Sequence, residues 1–133
     1  MESRNWIGGE WLSPSGEEMV VRNPSALQEE VGVVHFSNER DIAQAGEAAR
    51  LAQAGWAALS PAARGAYLFK AAGLLETAAP ELAELASREM GKPITEMRGE
   101  VMRGVHLLRY YAAEGVRSIG TVIPSNELGV LQY

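Results

Sequence analysis

One helical stretch constrains the fold of this chain more than any other part. Over residues 94–112, apolar side chains recur every three or four positions, so that at 100° per residue they form a single stripe. The stripe consists of Ile94, Met97, Val101, Val105, Leu108 and Ala112. Because such a stripe needs a core to cover it, the sequence predicts a helix from about Ile94 that packs on other elements of the domain.

The opposite face of this predicted helix should be solvated, but it is not purely polar. Its charged members are Glu96, Glu100, Arg103, Glu114 and Arg117. Leu107 and Tyr110 lie among them. Gly99 and Gly104 each cost up to about 1 kcal/mol relative to alanine inside a helix, so they are useful only where another backbone or a ligand comes close. We therefore expect a second surface or a ligand on this face.

The first third of the chain predicts short strands and turns. Gly8 and Gly9 supply the positive φ angles of a tight hairpin between residues 6–7 and 11–12. Residues 19–21 and 31–36 predict two further strands. Strands this short are marginal on their own, so they need a larger body to pack on.

From Ser37 onward the apolar period becomes helical. Ser37 or Asn38 caps a first helix, which ends near Leu59. Its apolar line predicts close packing on a neighbour and consists of Ile42, Ala45, Ala49, Ala52 and Trp56. Ser60 and Pro61 provide the cap and the first turn of a second helix.

A proline interrupts the second predicted helix. Because proline in a helix interior costs on the order of 3 kcal/mol, we expect Pro80 to open a separate, short helix that Gly91 ends. The stretch from Ile94 then makes about four helices. After it, residues 121–123 and 130–133 predict strands joined by a turn. The chain stops inside this last apolar run, so we expect a segment of a longer protein.

Composition excludes several classes of function. The chain of 133 residues is the size of one domain, and its net charge of −5 comes without a Lys/Arg cluster, which argues against a nucleic-acid partner. It has no cysteine, hence no disulfide and no thiolate nucleophile, and His35 and His106 are too few to build a metal site alone. With no signal-peptide core and no apolar run of roughly 18 residues, we expect a cytoplasmic protein that does not contact a membrane.

Local clusters of polar residues give only weak signals. Glu96 and Glu100 stand one turn apart, but on a wet helix face a carboxylate pair is typical of solvated charge rather than acid–base catalysis. His106 has no orienting neighbour in sequence, which favours a surface histidine. Glu89 at a helix end calls for a compensating cation or donor. Residues 109–111 (RYY) either anchor an interface or pack the arginine stem on an aromatic ring.

Seven short motifs follow one another along the chain. They are Gly9-Glu10-Trp11, Arg22-Asn23-Pro24, Trp56 before Ser60-Pro61, residues 88–93 (REMGKP), Gly99-Glu100-Val101, residues 108–112 (LRYYA) and Ile123-Pro124-Ser125. In this order and spacing they resemble the amino-terminal part of the NAD(P)-dependent aldehyde dehydrogenase superfamily. The combination of REMGK, RYYAAEG and VIPS is most similar to bacterial semialdehyde dehydrogenases, in particular those for 2-oxoglutarate semialdehyde.

The resemblance implies an α+β segment of an α/β fold that does not include the Rossmann sheet in full. Hairpins and helices over residues 1–118 would pack on the cofactor domain, and residues 119–133 would form the first strands of an oligomerisation arm. The parent would oxidise an aldehyde with NAD or NADP as a dimer or tetramer. The family's asparagine, glutamate base and cysteine nucleophile lie downstream, so no catalytic or cofactor-binding residue is expected here, no cofactor is bound by this segment, and it is inactive alone.

The resemblance also implies two lesser sites. In this family the helix that matches residues 99–112 lines one wall of the aldehyde tunnel, which places Arg103, Leu107 and Tyr110 at the substrate entrance. A guanidinium there suits an aldehyde that carries a carboxylate. Glu89 matches an acidic position that, with the carbonyl near Arg22, holds a structural cation in some members.

Three hypotheses therefore stand. The first is an enzyme segment whose partners are the remainder of the same polypeptide or homologous subunits, with a small aldehyde as substrate. The second is a stand-alone, non-catalytic module that adds its carboxy-terminal strands to a full-length homologue. The third is a free helical bundle of unrelated activity, which requires the chain's own strands to bury Leu107 and Tyr110.

Overall fold

The computed structural model describes residues 3–117 and 120–132, which form four strands followed by three helices. The strands are β1 (Asn5–Ile7), β2 (Glu10–Leu12), β3 (Glu18–Asn23) and β4 (Ala26–His35). The helices are α1 (Glu39–Ala58), α2 (Pro61–Met90) and α3 (Ile94–Glu114). β1 pairs with β2 and β3 with β4, both antiparallel. The α+β class is thus confirmed.

The amino-terminal hairpin forms at the predicted glycines. Gly8 and Gly9 have φ angles of +63° and +91°, which allow the two-residue turn between β1 and β2. The turn places Trp6 opposite Trp11, and their rings meet edge to face with centroids 5.0 Å apart. This aromatic cross-strand pair stabilises a hairpin whose strands are only three residues long.

Helix α1 begins and ends as predicted. The Asn38 side chain accepts hydrogen bonds from the backbone N–H groups of Arg40 and Asp41, and the Asp41 carboxylate accepts one from the Asn38 N–H. This reciprocal capping box satisfies donors that the first helical turn leaves free. The Ser15 N–H and hydroxyl also donate to Asp41, which ties the loop before β3 to the start of α1.

The apolar line of α1 remains largely uncovered. Ile42 is 64% exposed and Trp56 is 42% exposed, and α1 mainly contacts β1 within residues 3–117 and 120–132. Trp56 also contacts Tyr67 of α2, with ring centroids 5.7 Å apart. The prediction that α1 packs closely on a neighbour is therefore not met by the described part of the chain.

Helix α2 runs without a break through Pro80, so the predictions of a break there and of about four helices were wrong. Pro80 lacks the N–H that would bond the Glu76 carbonyl one turn earlier, which removes one hydrogen bond of the ladder. On either side of it, Ala79 and Ala83 are buried. The helix continues past Pro80 and ends at Gly91, with a φ of +70°, which is the end that was predicted for the separate third helix.

The core lies between α2 and α3. The predicted stripe on α3 faces inward, and Met97, Val105 and Ala112 are fully buried. A Cβ on Gly65 of α2 would lie 2.5 Å from the carbonyl oxygen of Ala112 on α3. The backbone of α3 therefore occupies the space that a side chain at position 65 would need. Small residues at this crossing let the helices approach closely.

The β3–β4 sheet is fastened to the end of α2. Arg88 Nε lies 2.6 Å from Glu29 Oε1, and the Asn23 amide donates to the other oxygen of Glu29. These two hydrogen bonds, that of Asn23 and that of Arg88, hold the pKa of the Glu29 carboxyl below its usual value. A further hydrogen bond between the sheet and the end of α2 is donated by the Ser25 hydroxyl to the Gly91 carbonyl.

Residues 120–132 contain one β-bridge and no strand. The Ile123 N–H donates to the Gln132 carbonyl across an antiparallel bridge, with a distance of 3.0 Å. The strands predicted over residues 121–123 and 130–133 are therefore reduced to this bridge in the described segment, because a two-stranded pair without further neighbours is marginal. Ile119, Tyr133 and the predicted domain boundary at residue 118 lie outside the described residues.

Candidate functional site

Three side chains predicted as substrate contacts share the outer face of α3. Arg103, Leu107 and Tyr110 follow one another at helical spacing, and all three are exposed. Leu107 is 49% and Tyr110 53% accessible, opposite the buried stripe. Within residues 3–117 and 120–132 no strand covers them, so the condition that the free-bundle hypothesis requires is not met there.

The Arg103 guanidinium has no hydrogen-bond or ion-pair partner among residues 3–117 and 120–132. Its acidic neighbour one turn earlier, Glu100, is engaged by Lys92, whose Nζ lies 2.7 Å from Glu100 Oε1. This hydrogen bond and the charge of Glu100 raise the pKa of Lys92. Arg103 is therefore left as a solvated cation available to an anionic ligand.

Tyr110, Glu114 and Arg117 form a polar cluster at the carboxy-terminal end of the same face. The Tyr110 hydroxyl is hydrogen-bonded to the Glu114 carboxylate, and this bond with the negative charge of Glu114 raises the pKa of the tyrosine. Arg117 Nε lies 3.2 Å from Glu114 Oε1, and its guanidinium is 5.8 Å from the centroid of the Tyr110 ring. Sequence reasoning missed this cluster, although spacings of three and four on a helix indicate such pairs.

Arg109 lies on the side of α3 that faces α2, and it forms an ion pair between these two core helices. Its Nη2 and Nη1 atoms lie 2.5 Å and 3.3 Å from the two carboxylate oxygens of Glu76 on α2. Arg109 thus pairs with a neighbouring helix of its own chain, and the interface role of residues 109–111 stays a prediction. The stacked cation over Tyr110 is Arg117, while Tyr111 meets Tyr110 edge to face at 5.3 Å.

The two glycines of α3 differ in their surroundings. A Cβ on Gly104 would meet a methyl group of Leu75 at 3.5 Å, which is an ordinary contact. A Cβ on Gly99 would meet no atom within 4 Å. Nothing in the described part of the chain therefore approaches Gly99 closely.

Glu89 is exposed at the end of α2, where it borders a small space of about 40 Å³ together with Val21 and Leu85. Its position beside β3 is compatible with the predicted cation site, which stays a prediction. No cluster of three or more His, Cys, Asp or Glu side chains suited to a metal occurs within residues 3–117 and 120–132. Across the same residues, the helices are also too short or too polar to cross a membrane.

A larger open cleft of about 660 Å³ lies between the β1–β2 turn and α1, away from the outer face of α3. Its lining is apolar or glycine, with no titratable side chain: Trp6, Ile7, Gly8, Gly9, Ala45, Ala48, Ala49, Leu51 and Ala52. Gly8 and Gly9 connect two strands, so they do not form the strand-to-helix turn that cradles a phosphate. The cleft offers apolar contact but no chemistry.

Comparison with known proteins places the chain in a family. The model of the aldehyde dehydrogenase family matches residues 11–133. The alpha-ketoglutaric semialdehyde dehydrogenase of Bacillus subtilis is 44% identical over 130 residues, which cover 97% of this chain and 27% of that protein. The malonate-semialdehyde dehydrogenase of Bacillus pumilus is 34% identical over 128 residues, covering 96% and 26%. The chain therefore belongs to the aldehyde dehydrogenase family.

Solved structures agree with this assignment. The NAD-dependent benzaldehyde dehydrogenase from Corynebacterium glutamicum superposes with a TM-score of 0.83 and 29% identity, over 95% of this chain and 28% of that one. The chain thus spans about a quarter of the length of the relatives it matches. The resemblance of its motifs to this family and to bacterial semialdehyde dehydrogenases is confirmed.

Proposed function

We propose that the protein containing this chain oxidises an aldehyde to a carboxylic acid with NAD or NADP. The observation that carries the proposal is the 44% identity to an alpha-ketoglutaric semialdehyde dehydrogenase over nearly the whole chain. The family match over residues 11–133 and the likeness to an NAD-dependent dehydrogenase support it.

The role of this chain within that enzyme is structural and substrate-directed. It has no cysteine, so the thiolate nucleophile comes from another part of the protein. We assign no residue of this chain to the dinucleotide, because the Gly8-Gly9 turn joins two strands. The chain supplies scaffold and one wall of the substrate tunnel, and it is inactive alone.

Residues 119–133 are proposed as the first strands of an oligomerisation arm, with residues 1–118 packing on the cofactor domain. Exposed apolar side chains in the described part of the arm support this role, among them Val122, Ile123 and Leu131. Open strand edges and uncovered apolar residues favour pairing with the remainder of the polypeptide or with a homologous subunit. Glu89 remains the proposed ligand of a structural cation.

The proposed substrate is an aldehyde that carries a carboxylate. Both curated relatives named above act on semialdehydes of this kind. The unpaired Arg103 guanidinium can bind such a carboxylate through two parallel hydrogen bonds, while Leu107 beside it contacts the carbon chain. Arg103 is therefore a binding residue that favours acidic over neutral aldehydes.

Replacing Arg103 by alanine in the full-length enzyme tests this role. We expect the KM for alpha-ketoglutaric semialdehyde to rise at least about tenfold, because a charge-assisted hydrogen bond contributes about 1.5–3 kcal/mol. The KM for a neutral aldehyde such as propanal should change little. Steady-state formation of NADH or NADPH measures both values.

The matched control is Arg98→Ala. Arg98 is also an exposed arginine of α3 but borders the groove near Glu76 and Pro80 instead of the outer face. It should leave the ratio of the two KM values unchanged. An equal change in both KM values for Arg103→Ala would show that this residue does not recognise the carboxylate.

A further inference from the structure

We draw no further inference here: the strongest candidate, the open apolar cleft of about 660 Å³ between the β1–β2 turn and α1, is lined largely by alanine and glycine, and nothing within residues 3–117 and 120–132 shows what covers it.

Discussion

Gly65→Ala is expected to lower the free energy of unfolding by about 1–3 kcal/mol, the range typical of an overpacked core. The new Cβ would lie 2.5 Å from the carbonyl oxygen of Ala112, and a backbone atom in a helix cannot move aside as a flexible side chain can. Helices α2 and α3 would have to separate, which loosens the contacts of Met97 and Val105 in the core. Urea denaturation followed by circular dichroism measures the loss.

Gly73→Ala on the same helix is the control for this substitution. A Cβ at Gly73 meets no atom within 4 Å, so the change should be neutral or stabilise the helix by up to about 1 kcal/mol. The two variants add the same methyl group to the same helix and differ only in what it meets. If both shift the unfolding midpoint equally, the close crossing at Ala112 does not limit packing.

Asp41→Asn is expected to destabilise the junction between the β2–β3 loop and α1. The carboxylate is buried and accepts hydrogen bonds from the Ser15 N–H at 2.8 Å, the Asn38 N–H at 3.0 Å and the Ser15 hydroxyl at 3.1 Å. An amide has only one acceptor oxygen and turns an NH₂ group towards donors. We expect the melting temperature to fall by roughly 5 °C, since loss of a helix cap has effects of this order.

The same substitution should change how stability depends on pH. Hydrogen bonds from the Ser15 and Asn38 backbone hold the pKa of Asp41 below its ordinary value of 3.8. A carboxyl with a lowered folded-state pKa stabilises fully above its unfolded pKa and loses this contribution as pH falls towards the folded pKa. The difference in melting temperature between wild type and Asp41→Asn should therefore shrink below about pH 4.

Glu47→Gln is the control for the dependence of the melting temperature on pH below about pH 4, and its profile should stay close to that of wild type. Glu47 also has a lowered pKa, because of its hydrogen bond from Arg50, but the pair is exposed and lies within one turn of α1. Exposed pairs of this kind contribute little to stability. A pH profile of Asp41→Asn parallel to that of wild type from pH 3 to 7 would contradict the proposed role of the Asp41 carboxylate.

Local sequence signals predicted the parts of the fold that depend on neighbouring residues. Two glycines placed the β1–β2 turn, Asn38 and Ser60 placed the starts of α1 and α2, and Gly91 placed the end of α2. The apolar period identified the buried face of α3. Each of these depends on the φ angles, caps or spacing of residues a few positions apart, which the sequence contains directly.

These local signals did not predict contacts between residues that are distant in the sequence. Pro80 predicted a break on propensity alone, yet α2 continues through it, with Ala79 and Ala83 buried on either side. The hydrogen bond of Arg88 with Glu29, 59 positions earlier, and that of Arg109 with Glu76, 33 positions earlier, follow from how the elements pack. A single sequence does not specify which of many acidic residues such an arginine meets.

The candidate site likewise has features that the sequence determined and features that only the tertiary structure determined. The sequence alone determined that Arg103, Leu107 and Tyr110 share the outer face of α3, because a helix of known start fixes the direction of every side chain along it. The tertiary structure decided their states: Lys92 engages Glu100, Arg103 remains unpaired, and Gly99 faces open space. Pairing and open space depend on distances between separate elements, and only the folded chain sets those distances.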